Sequence, residues 1–159
     1  MKDTAALSSA SFALDPQTQW VYLAGTTTAN ELMLAGVDLF VNQNALDFSG
    51  VKVTSGLMRA GEAVFMEKTK RVFIAAQRLS GAASALVEVE ISFPSGLFTP
   101  SLIDLAILPS PLSDYKNHKL SGFSDATTSE VLLMTAEPSG VTAKGLLIHL
   151  REVSPNAID

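Results

Sequence analysis

From Val87 to Phe93 the chain alternates strictly. Val87, Val89, Ile91 and Phe93 fall on one side of an extended backbone, and Glu88, Glu90 and Ser92 on the other. A period of two specifies a strand with one buried face and cannot be read as an amphipathic helix. Other short apolar runs follow the same logic. Trp20-Val21-Tyr22-Leu23-Ala24 is aromatic and β-branched, and Val51 and Val53 alternate with Lys52 and Thr54. Ala63–Met66 and Arg71–Ala76 flank a four-residue polar link, Glu67–Lys70, which predicts a hairpin. A second hairpin is predicted where Glu137-Pro138-Ser139-Gly140 separates Val131–Ala136 from Val141–Leu150. Leu97–Leu108 fits a helix started by Thr99 and Pro100, but fits better a strand with Ile103, Leu105 and Ile107 on one face.

One helix is expected. Thr28 and Glu31 stand at capping-box spacing and Gly36 can end the turn, which predicts a short helix over Ala29–Ala35, before a strand at Val37–Val41. The expected fold is therefore all-β and mainly antiparallel: a single-domain β-sandwich or barrel of seven or eight short strands, with one short helix and an N-terminal arm. The expected organisation is an extended arm over 1–17, the sandwich or barrel over 18–154 and a tail over 155–159. Lys2 is offset by Asp3 and serines break the apolar part of the arm, so no signal peptide is expected. No repeat at a fixed period stands out.

Composition narrows the function classes. The chain is 47% hydrophobic but only 17% charged, against about 25% in an ordinary soluble domain. The apolar residues are spread over short runs, and none is long enough for a membrane span. A net charge of −5 argues against nucleic acid as a partner. The closest basic cluster, Lys68, Lys70 and Arg71, sits beside Glu67 at a hairpin tip. The absence of cysteine removes disulfides and thiolate chemistry together.

Candidate chemistry is sparse. His118 and His149 are the only histidines and have no metal-ligand spacing, so no zinc or other cofactor is expected. Oxygen-rich stretches at Asp38, Asn42, Asn44 and Asp47, and at Asp125 and Thr127–Glu130, could hold calcium but match no EF-hand loop. Gly122-Phe123-Ser124-Asp125-Ala126 is a degraded relative of the G-x-S-x-G elbow, with His118 nearby in sequence. Glu88 and Glu90 share a strand face, as glycosidase carboxylates might, but also as any solvated face does. Gly140–Gly145 lacks the spacing of a phosphate loop.

What these residues predict is a non-enzymatic structural subunit of a symmetric homo-oligomeric assembly, with apolar surface covered by other subunits. The expected setting is a virion, as a capsid, decoration or tail component made in the host cytoplasm. Expected interface residues are Trp20, Tyr22, Phe98, Tyr115 and Phe123, with the polar stretch Ser110–Glu130 as a long contact loop. The alternatives are a carbohydrate- or small-ligand-binding sandwich, using Trp20 and Tyr22 as a stacking platform, and a small hydrolase built on Ser124 and His118.

Overall fold

The structure, a computed structural model, describes residues 9–40, 49–52, 58–78, 84–94, 98–108, 118–124, 129–136 and 143–150. These form strands β1 (Ser9–Asp15), β2 (Trp20–Thr26), β3 (Leu32–Asp38), β4 (Ser49–Lys52), β5 (Met58–Met66), β6 (Arg71–Arg78), β7 (Ala85–Ser92), β8 (Thr99–Ile107), β9 (His118–Ser124), β10 (Ser129–Ala136) and β11 (Ala143–Leu150). They make three antiparallel meanders, β1-β2-β3-β4, β5-β6-β7-β8 and β9-β10-β11. The all-β antiparallel class is as expected, but the layers are three rather than two.

Three expectations need correction. The helix over 29–35 is absent, because Leu32–Asp38 is strand β3. Thr27 and Glu31 instead close a tight hairpin. The Asn30 N–H bonds the Thr27 carbonyl at 2.9 Å, and Asn30 takes φ 60°, the left-handed geometry asparagine tolerates best after glycine. Leu32 and Leu34 are buried on one face and Ala35 and Val37 on the other, so the run reads as continuously apolar and hides its period. The arm is the second correction: Ser9–Asp15 pairs along its whole length with β2, while residues 1–8 lie outside the described residues. The third is the long loop, since His118–Ser124 forms β9 and pairs with β10. Both predicted hairpins are present as β5–β6 and β10–β11, and the ambiguous run is strand β8.

Successive side chains of a strand point to opposite faces, and the middle sheet uses both. Val72, Ile74, Val87, Val89 and Ile91 pack with Tyr22, Ala24, Leu32 and Leu34 of the first sheet. On the reverse side Met66, Phe73, Ala75 and Leu86 pack with Val131 and Leu133 of the third. The sheets lie nearest along their first strands, β1 against β5 and β5 against β9. They form a fan whose inner edge is those three strands.

The meanders are copies of one plan. Gln19 and Lys70, the last residues of the first hairpin loops, are both left-handed (φ 59° and 53°). Each carbonyl accepts a backbone bond from the third strand's side, one step beyond the pairs Trp20–Asp38 and Arg71–Glu90, Gln19 from Leu39 at 3.2 Å and Lys70 from Ile91 at 2.8 Å. Trp20-Val21-Tyr22-Leu23 and Arg71-Val72-Phe73-Ile74 open the second strands of their sheets, opposite Asp15 and Met66, and Glu130-Val131-Leu132-Leu133, one residue into β10 and opposite Phe123, alternates between the same two faces. The intervals from Trp20 to Arg71 and from Arg71 to Glu130 are unequal, which is why no fixed period shows in the sequence.

Candidate functional site

Three of the five expected interface residues meet one another inside the chain. The Trp20 and Phe98 rings stack at 5.9 Å between centroids, and Tyr22 and Phe98 at 6.0 Å. Phe93 lies 4.6 Å from Trp20, and Phe65 lies 4.9 Å from Tyr22. Gly36 makes room for this cluster, since a Cβ there would stand 2.7 Å from the Phe98 ring. Tyr22 is fully buried between the first and second sheets, so it is a core residue and cannot touch another subunit. Trp20 and Phe98 are half-buried at the margin of the same core. Tyr115 lies outside the described residues. Phe123 is 58% exposed on the face of the third sheet that looks away from the second.

The loop beside the cluster is held by Asp15. Its carboxylate accepts the Thr18 hydroxyl at 2.6 Å and the Gln17 and Thr18 N–H groups at 3.0 and 3.3 Å, an Asx turn started by Pro16. The Lys70 ammonium stands 3.7 Å from Asp15 and 5.6 Å from the centre of the Phe65 ring, tying the tips of the first two sheets together. Burial pushes the Asp15 carboxyl up, but the Thr18, Gln17 and Lys70 contacts outweigh it and hold the group below its ordinary value. Burial, reinforced by the Asp15 charge, raises the Tyr22 phenol. These contacts lock a turn and a core.

The other candidate chemistry is dispersed. His118 and Ser124 stand at opposite ends of β9, about 20 Å apart at roughly 3.3 Å per residue, so the strand keeps them from forming a dyad. Gly122, Phe123 and Ser124 of the degraded elbow lie in β9 and pair with β10, while Asp125 and Ala126 lie outside the described residues. Glu88 forms an ion pair with Arg71, which places a cation on one of the two proposed carboxylates. Asp38 accepts the Phe40 N–H at 2.8 Å as a turn former. Residues 41–48 and 125–128 of the two oxygen-rich stretches lie outside the described residues. Among the described residues no cluster of three metal-ligating side chains occurs.

What the structure does bring together is apolar surface at the two ends of the stack. On the first sheet Phe12 and Leu14 are 72% and 51% exposed, beside half-buried Val21, Leu23 and Met33. In register these residues share the face turned away from the second sheet, which is open along β1 and closed over Ala35 and Val37 of β3. On the third sheet Phe123 and Met134 (45% exposed) flank half-buried Leu132 on its outward face. Sequence reasoning found only Phe123 of this set. Phe12 and Leu14 alternate with Ala13 and Asp15, a period-two signal that was available in the segment read as an arm. The chain matches no protein-family model, no curated protein and no solved structure.

Proposed function

We propose that this protein is a non-enzymatic structural subunit that works by self-association through the end faces of its three-sheet stack. The observation that carries the reading is the pair of open apolar faces, Phe12 with Leu14 at one end and Phe123 with Met134 at the other. Scattered exposed apolar residues are ordinary, but apolar residues gathered on one sheet face mark a contact surface. The middle sheet illustrates what such faces do: both of its faces are covered by a neighbouring sheet.

The competing readings find less support. Rings of Trp20 and Tyr22 that would stack on a sugar are packed against Phe98, Phe93 and Phe65. The hydrolase reading needs Ser124 near His118, and β9 holds them apart. The virion setting expected from the sequence rests on the low charge content, the compact strand pattern, the N-terminal segment and the lack of cysteine and catalytic equipment, and not on the end faces. The test is the mass of the full chain across a concentration series, by light scattering or sedimentation. A defined multiple of 16.8 kDa that grows in with concentration is the expected result. A monomer at every concentration would overturn the reading.

A further inference from the structure

Both internal interfaces of the stack are built alike. Where the first sheet meets the second, Ser11 Oγ accepts the Ala63 N–H at 2.7 Å. Where the second meets the third, Glu62 Oε2 accepts the Leu120 N–H at 2.8 Å. Ser11 and Glu62 hold the same place, four residues before the last residue of their strands, and Ala63 and Leu120, three and four residues before theirs, are matched by facing the preceding sheet. The apolar contacts repeat too. Gly122 of the third sheet lies against Met66 and Val64 of the second. Ala63, Phe65, Val72 and Ile74, the face the second sheet turns to the first, correspond to Phe12, Leu14, Val21 and Leu23 on the first sheet's open face. The residues of the third sheet that correspond to Val64, Met66, Phe73 and Ala75 are Ser121, Phe123, Leu132 and Met134, its open face.

The two exposed faces are therefore opposite halves of one repeated interface. The stack displays at one end the side that receives a sheet and at the other the side that inserts. The same step applied again in the same sense curves the fan around its inner strands. Radially repeated antiparallel meanders close as rings of roughly 4–8 sheets. Three described sheets fall short of the smallest ring. Two copies supply six, within that range, and three copies supply nine, beyond it. A head-to-tail contact that closes makes a finite particle rather than a filament.

We infer that the occupant of each open face is a second copy of this chain, joined head to tail, so that two chains close one six-sheet ring. This rests on the self-association reading and adds its geometry. The third-sheet face of each chain covers the first-sheet face of the other, and Leu14 brings a side chain to the place where Gly122 leaves no room for a Cβ against Met66 and Val64, with the smaller Ser121 in the place of Val64. One position departs from the repeat. Lys119 stands where Ser11 and Glu62 stand and is ion-paired with Glu62. The ring-closing contact therefore lacks the side-chain acceptor of the internal ones at that position, and Lys119 and Glu130 bring charge to the same face as Phe123 and Met134.

The chain has no cysteine, so single thiols can be introduced cleanly. Leu14→Cys and Phe123→Cys are prepared as separate full-length variants, checked for wild-type circular dichroism, and treated with a short bis-maleimide, alone and after co-refolding. The inference expects a wild-type particle of twice 16.8 kDa, and a cross-linked dimer only when both variants are present. Cross-linking of Leu14→Cys with itself would overturn the head-to-tail ring while leaving self-association standing. A particle of three or more chains, or an open filament, would do the same. A monomer at all concentrations would remove both.

Discussion

Phenylalanine 73 and phenylalanine 12 carry the same side chain in opposite situations, and deleting each should separate core from contact surface. Phe73 is 1% exposed, between the second and third sheets with Met66, Val131 and Leu133. Phe12 is 72% exposed on the outer face of the first sheet. Truncating a core phenylalanine to alanine costs about 3–5 kcal/mol, the transfer loss plus the cavity left behind. For a chain of this length each kcal/mol moves Tm by about 2–4 °C, so Phe73→Ala should lower it by about 6–20 °C. Phe12→Ala deletes the same atoms from solvent and should stay within about 0.5 kcal/mol, a shift of about 2 °C or less.

The assay is thermal unfolding followed by circular dichroism at a dilution where light scattering gives the monomer mass, then at rising concentration. Self-association stabilises the folded chain by mass action, so wild-type Tm should climb with concentration. Phe12→Ala should flatten that climb while leaving the dilute value alone. Phe73→Ala should lower every point on the curve. If Phe73→Ala is too unstable to measure, Phe73→Leu keeps most of the volume and should shift Tm in the same direction by less. Equal shifts for Phe12→Ala and Phe73→Ala in dilute monomer would refute the assignment of Phe12 to an open face.

Ser11→Ala removes the acceptor of the Ala63 N–H. It should cost about 1 kcal/mol, and amide exchange at Ala63 should accelerate relative to its strand neighbours. Gly36→Ala places a Cβ 2.7 Å from the Phe98 ring. Relief of that overlap should cost about 1–3 kcal/mol and change the fluorescence of Trp20, which stacks on Phe98. The folded-state pKa of Asp15 is depressed, so the unfolded chain takes up this proton first. Its contribution should be complete above the ordinary value of 3.8 and lost as pH falls through the lower folded value; urea midpoints of Asp15→Asn should show a flatter acid limb. Tyr22 has the opposite sign: its phenol is raised, so stability should fall as pH rises past the ordinary value of 10.0, and Tyr22→Phe should remove that loss.

Strands buried on one face were the legible part of this sequence. Glu88 and Glu90 mark the period of β7, and the polar tips Glu67–Lys70 and Glu137–Gly140 mark two hairpins. Strands without such a contrast were misread for a physical reason. In β3 both faces are apolar, so Leu32–Val37 shows no alternation, and the chance spacing of Thr28 and Glu31 then suggests a cap. In β9 the residues facing solvent are lysine and serine and Gly122 has no side chain, so the strand resembles loop. The repeat escaped notice because its units are unequally spaced and share apolar type, not identity. At the candidate site Trp20 and Tyr22 were singled out for being aromatic, yet aromaticity alone cannot separate a core ring from a contact ring. Packing against Phe98, over Gly36 in register with Tyr22, makes that distinction, and neither is written in one strand's sequence.

The low charge content itself has two sources, and the structure separates them. A two-layer sandwich turns one face of each sheet to water and needs charge there. A three-layer stack covers much of both faces of its middle sheet, leaving Glu90 and Ser92 exposed, so Val64, Met66, Phe73, Ala75 and Leu86 occupy positions that a sandwich would give to polar residues. Part of the shortage therefore reflects how the chain folds on itself and says nothing of partners. What bears on association is the exposed apolar surface, of which Phe12, Leu14, Phe123 and Met134 lie on the two end faces. The argument for assembly is accordingly stronger as geometry than as composition. Charged substitutions on those two faces should act on association, whereas charged substitutions on either face of the middle sheet should act on folding.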